Sequence, residues 1–138
     1  MKNKKGFTLV ELLAVIVILA ILVTIAVPST ISISNKLKVN MYCSKIDTSI
    51  ETAAKMYGED RRESFAVDAT TGYPTKVITV KDLIDTGYLK KDQNTSPYVV
   101  DPRDKSSEDL YNMSFKVYVK YNRVYVGFND EVKEICGK

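Results

Sequence analysis

Between Phe7 and Val27 lie 21 consecutive residues of which only Thr8, Glu11 and Thr24 are polar. As a helix such a run is about 30 Å long, the thickness of a bilayer core. Lys2, Lys4 and Lys5 stand immediately before it, with no acidic residue among the first six. The positive-inside rule then puts the short basic end in the cytoplasm and everything after the run outside. The rest of the chain must fold as a domain tethered to that anchor.

The remainder is too short for two full domains, since the whole chain has 138 residues. The net charge of +3 resides in the three leading lysines, and the other 17 basic side chains face 17 acidic ones. A balanced chain has no global electrostatic attraction to nucleic acid. There is no histidine, which excludes Ser-His-Asp and Cys-His machinery, and no Gly-rich phosphate loop is present. We expect no enzyme, no cofactor and no catalytic residues.

Glu11 is the anomaly in the apolar run. A charge at a membrane helix centre costs about 2.5–3.5 kcal/mol on insertion scales, and less near the end where Glu11 lies. It either reaches the headgroups as a tolerated charge or meets a partner inside a protein assembly. Two other readings of the run are an ordinary secretory signal cut after Thr24-Ile25-Ala26 and an unprocessed signal anchor.

The stretch Lys4-Lys5-Gly6-Phe7-Thr8-Leu9-Val10-Glu11-Leu12-Leu13 resembles the processing signal of type IV prepilins and of the pseudopilins of type II secretion and competence systems. Short basic leader, glycine before phenylalanine, glutamate four residues later and apolar run are all in register, over roughly the first 55 residues. The resemblance implies cleavage between Gly6 and Phe7 by a membrane aspartic peptidase and N-methylation of the new Phe7 amine. It implies that Glu11 meets the Phe7 amine of a neighbouring subunit, neutralising two charges that hydrocarbon penalises singly. Gly6, lacking a side chain, lets the backbone extend into a protease groove. Pro28 falls where the family has a helix-kinking proline, and it removes the hydrogen bond to the Thr24 carbonyl. Ala20 stands where the family often has a glycine.

The implied organisation is a cytoplasmic leader (1–6), a transmembrane and filament-core helix (7–28), and a periplasmic or extracellular head (29–138) that includes the outer half of the helix. The implied protein is single-pass in the cytoplasmic membrane and then part of an extracellular filament. Its partners would be identical or related subunits, the peptidase/methyltransferase and a membrane assembly platform. A type IV pilin is the leading expectation, a pseudopilin of secretion or competence the second, and a signal-anchored binding domain that never polymerises the third.

Beyond Pro28, Val39, Tyr42/Cys43, Ile46, Ile50, Ala53/Ala54 and Tyr57 recur at helical spacing, with Gly58 as the expected stop. Glu59 to Thr75 reads as an irregular connection, Lys76 to Val80 as a short strand, and Thr79 to Asp82 as a capping box opening a short helix that ends at Gly87. The segment Val80–Leu89 looks like a pattern that recurs in pilins and pseudopilins after the long helix. Met113–Tyr121 and Val124–Phe128 alternate as an antiparallel hairpin turning at Asn122-Arg123, and Val132–Cys136 is expected to add a short strand. The fold class is therefore α+β: a long N-terminal helix packed on a small antiparallel sheet.

Cys43 and Cys136 lack zinc-motif spacing. Outside the cytoplasm a disulfide is the natural reading, with two separately buried thiols as the alternative. Asp101, Asp104, Glu108 and Asp109 form an acidic cluster read as a solvated loop. The resemblance to calcium-binding pseudopilins raises a hard-cation site there, but the spacing is not that of an EF-hand, and no metal is expected. Lys116, Tyr118 and Lys120 share the wet face of one strand. That is an ordinary soluble face, or a surface that neutralises and stacks on single-stranded DNA.

Overall fold

The computed structural model describes residues 6–103 and 108–138. The chain separates into two compact units, Met1–Leu37 and Lys38–Lys138.

Helix α1 runs from Leu9 to Lys45, 37 residues. Through Val27 it is exposed on every side, as an anchor whose solvent is lipid should be. Pro28 lies inside α1. Its missing amide removes the usual i→i+4 donor to the Thr24 carbonyl. Thr24 and Thr30 hydroxyls donate back to the Ile21 and Ala26 carbonyls at 2.7 and 2.9 Å, the helix-bending contacts typical of threonine.

In the second unit the helix passes through a π-helical segment, Ile46–Glu51, and continues as α2, Thr52–Arg61. The sequence explains the wide turn. Tyr42, Ile46, Ile50 and Ala54, all buried, are spaced four apart. Each such step drifts the stripe by about 40° on an α-helix, and the i→i+5 pitch of a π segment takes back part of that drift.

The expected stop at Gly58 does not occur, and α2 runs on to Arg61. Gly58 is there for closeness. A Cβ at this position would stand 2.5 Å from a methyl of Val124 and 2.8 Å from one of Val117. Only glycine lets α2 lie this near the sheet.

The sheet has four antiparallel strands in the order β1 (Ala66–Val67), β2 (Pro74–Thr79), β3 (Ser114–Lys120) and β4 (Arg123–Gly127). The region expected to be irregular, Glu59 to Thr75, thus supplies β1 and the start of β2. Two residues are too few to show an alternation, so β1 exists only through its pairing with β2. Ile78, Phe115, Val117 and Val124 are buried beneath the helix, with Val80, Leu83 and Val99 beside them.

Helix α3, Val80–Asp85, opens with the expected capping box between Thr79 and Asp82, and Gly87 follows at φ 84°. The β3–β4 turn lies one residue earlier than expected. Lys120 pairs with Arg123, so Tyr121 and Asn122 form the loop, at φ 50° and 59°. Both angles are left-handed, as a hairpin of type I′ requires. Asn tolerates this, and its side chain accepts a 2.7 Å bond from Arg62.

The expected third strand at Val132–Cys136 is instead helix α4, Asp130–Cys136. Asn129 caps it by accepting from the Val132 amide, and Gly137 ends it in the left-handed conformation. Val132, Ile135 and Cys136 lie at i, i+3 and i+4, the spacing of one helix face. Taken whole, the head is α+β, an amphipathic helix laid on an antiparallel sheet.

Candidate functional site

The candidate processing and assembly residues occupy the start of α1. Gly6 and Phe7 are exposed and non-helical, and a Cβ on Gly6 would meet nothing within 4 Å. Phe7 is 82% exposed. Thr8 and Glu11 form a reciprocal pair. The Thr8 amide donates to Glu11 Oε2 at 3.0 Å, and the Glu11 amide donates to Thr8 Oγ1 at 3.2 Å. This is a capping box. The Leu12 amide closes the first helical turn on the Thr8 carbonyl at 3.1 Å.

The sequence reading weighed Glu11 against the membrane and a partner, and it missed this local role. The signal was present, since Thr8-Leu9-Val10-Glu11 has the same T-x-x-acid form recognised at Thr79. Oε1 of Glu11 takes no hydrogen bond among the described residues, so the carboxylate can cap its own helix and still accept from an amine.

The head holds the two cysteines together. Cys43 on α1 and Cys136 at the end of α4 are bonded, with Cα atoms 5.5 Å apart. Next to the bond, Lys138 pairs with Asp47 at 2.9 Å and with Glu51. The C-terminus is thereby fastened to the helix covalently and electrostatically. Closing a loop of 93 residues stabilises by about 4–5 kcal/mol in the chain-entropy model. We expect thiol alkylation of the folded protein to label neither cysteine without reductant and both with it. Labelling of both before reduction would contradict the bond.

The acidic cluster is solvated only in part: Glu108 is exposed and Asp109 half-buried, but Asp101 is not a solvated charge. The Asp101 side chain is fully buried and Arg103 is 8% exposed. Arg103 donates to both Asp101 oxygens, Nε at 3.0 Å to each and Nη2 at 2.6 Å to Oδ2. It also reaches Glu131 at 3.0 Å and lies 3.8 Å from the Tyr42 ring centre. Hydrogen bonding to Asp101 outweighs burial and keeps the guanidinium charged. Burial alone would raise the Asp109 carboxyl, but backbone amides of Val99, Tyr98 and Tyr111 outweigh it and hold its pKa below the ordinary value. Lys45 donates to Asp92 and to the Val100 carbonyl. These carboxylates bind their own loop to the helix. Asp104 lies outside the described residues, and among those described no three His, Cys, Asp or Glu side chains are grouped to hold a metal.

Lys116, Tyr118 and Lys120 do share the outer face of β3. Tyr118 stacks on Tyr125 across the strands, ring centres 5.6 Å apart at 18°.

Compared with known proteins, residues 1–27 match the family model described as the prokaryotic N-terminal methylation motif. No curated protein and no solved structure matches the chain. The match covers the anchor. Residues 1–27 carry the type IV prepilin signal, and this supports reading the chain as the precursor of a type IV pilin-like or pseudopilin-like subunit.

Proposed function

We propose that the chain is a structural subunit of a type IV pilus. It is cut between Gly6 and Phe7, N-methylated on Phe7, and polymerised with copies of itself through α1. The observation that carries this reading is the register of the methylation motif with the fold. The motif ends at Val27, where the uninterrupted apolar run also ends, although Ile31, Ile33 and Leu37 remain exposed farther along α1. A head secured by a disulfide and a buried ion pair follows. Such a head suits life outside the cell, where a thin filament has no chaperone to repair it. Lys2, Lys4 and Lys5 would remain on the cytoplasmic side with the leader, and the peptidase would meet an exposed Gly6 ahead of the helix cap.

Mass spectrometry of the subunit sheared from cells tests this. The expected chain begins at methylated Phe7. Gly6→Val should leave full-length precursor in the membrane, because a branched side chain obstructs an extended backbone in the protease groove while the apolar span is unchanged. A mature chain beginning at Met1 or Val27 would overturn the filament reading, and normal maturation of Gly6→Val would overturn the cut site.

A further inference from the structure

The outer face of the sheet carries a pattern the filament role does not use. Along β3 the outward residues alternate as Lys116, Tyr118 and Lys120, and the cross-strand partners of Tyr118 and Lys120 on β4 are Tyr125 and Arg123. Tyr118 and Tyr125 lie face to face. Lys120 Nζ stands 5.1 Å from the ring centres of both Tyr73 and Tyr121. Tyr121 is 80% exposed, displayed on a left-handed turn that tyrosine rarely adopts. Two shallow grooves of about 300 Å³ each meet at Lys116, one lined by Tyr73, Tyr118 and Lys120 and the other reaching Lys133.

Charge on this face is one-sided. Lys116 and Lys120 line the grooves against a single carboxylate, Asp68, while Lys133 at the far end is paired with Asp130 at 3.2 Å. Asp68 is engaged by the Thr70 and Thr71 amides at 2.8 and 3.2 Å. Lys116, Lys120 and Arg123 enter no ion pair among the described residues. Elsewhere in the head, Lys45, Lys55, Arg62, Arg103, Lys133 and Lys138 pair with acids, while Arg61, Lys76 and Lys91 lie over tyrosine rings. On the outer face of the sheet, Lys116, Lys120 and Arg123 alternate with Tyr118 and Tyr125 along two paired strands.

From this arrangement we infer that the outer face of the sheet binds single-stranded nucleic acid, with phosphates on Lys116, Lys120 and Arg123 and bases against Tyr118, Tyr121 and Tyr125. A duplex hides its base faces, whereas an unpaired strand offers one ring per phosphate, the same alternation that β3 presents. An open antiparallel sheet with aromatic residues on its free face is a known solution to this task. Seven residues of β3 span about 20 Å, room for a few nucleotides. The inference is independent of polymerisation, because every residue lies in one head.

The test uses the full chain in nanodiscs of zwitterionic lipid and the fluorescence anisotropy of a labelled short oligothymidylate. Saturable binding is expected. The slope of log affinity against log salt should be about −2 for three contacts, measured between about 50 and 200 mM. Lys116→Gln with Lys120→Gln should weaken binding at least tenfold and bring the slope near about −0.7. An abasic oligomer of equal length should bind about tenfold more weakly. No saturable binding would overturn the inference, as would an unchanged affinity of the double variant. Equal affinity for the abasic oligomer, or preference for an anionic polysaccharide over oligothymidylate, would show a merely ionic surface and overturn it too. Filament yield can be read separately on the same double variant, so a failure here leaves the filament reading untouched.

Discussion

Replacing Glu11 by alanine is expected to leave the precursor inserted and cut, yet to remove most filaments. The apolar span becomes more apolar, so insertion is not threatened. On assembly, the Phe7 amine of an incoming subunit would enter the hydrophobic filament core with no counter-charge. One buried charge left unpaired costs about 3–5 kcal/mol. The capping box adds a second reason, because alanine also removes the acceptor of the Thr8 amide, worth about 0.5–2 kcal/mol in helix stability. Glutamine separates the two effects. It completes a capping box as glutamate does but carries no charge. If pairing with the Phe7 amine dominates, Glu11→Gln loses filaments as Glu11→Ala does. If the cap dominates, Glu11→Gln restores them. Filaments sheared from cells with equal membrane levels of mature subunit give the comparison. Equal yields for wild type and Glu11→Ala would make Glu11 an incidental charge.

Arg103→Ala is expected to destabilise the head by about 3–5 kcal/mol, because it leaves the fully buried Asp101 carboxylate without its guanidinium. It also removes the cation from the face of Tyr42. For a domain of this size the midpoint should fall by roughly 10–20 °C. The measurement is thermal unfolding of the full chain in detergent with the disulfide intact. Replacing both partners, Asp101→Leu with Arg103→Met, should recover much of the loss, since apolar residues of similar volume often substitute well for a buried pair. A fall below about 1 kcal/mol for Arg103→Ala would show that the pair behaves like a surface bridge. If the double variant is no more stable than the single, packing of the arginine stem on Tyr42 carries the effect rather than charge.

Features with a strict local grammar were legible from the chain alone. The anchor is a matter of length and apolarity. Thr79 and Asp82 fix their own capping box, and the alternation through Met113–Phe128 needs no partner to be recognised. The helical stripe from Tyr42 to Tyr57 was read residue by residue, and the structure buries Tyr42, Ile46, Ile50, Ala53, Ala54 and Tyr57. Val39 and Cys43 are only half-buried at its margin.

What failed did so where local signals were equivocal. Val132–Cys136 was expected as a strand, but Asn129 and Gly137 supply both helix caps, and caps decide the state of a seven-residue segment. Gly58 has the residue type of a helix stop and the environment of a helix–sheet contact. Only the Val117 and Val124 methyls facing it distinguish the two. Asp101 read as a solvated charge because burial is a property of the whole head, and nothing marked Arg103 as its partner. Their two-residue spacing carries no sign that Tyr42, some 60 residues earlier, will lie beneath the guanidinium.

The sequence by itself thus determined the anchor, its processing signal and the α+β composition of the head, because each depends on neighbours within a few residues. The tertiary structure decided which charges are internal and which remain free on the outer sheet face. That distinction depends on solvent exclusion, and solvent is excluded only by residues brought together from distant parts of the chain.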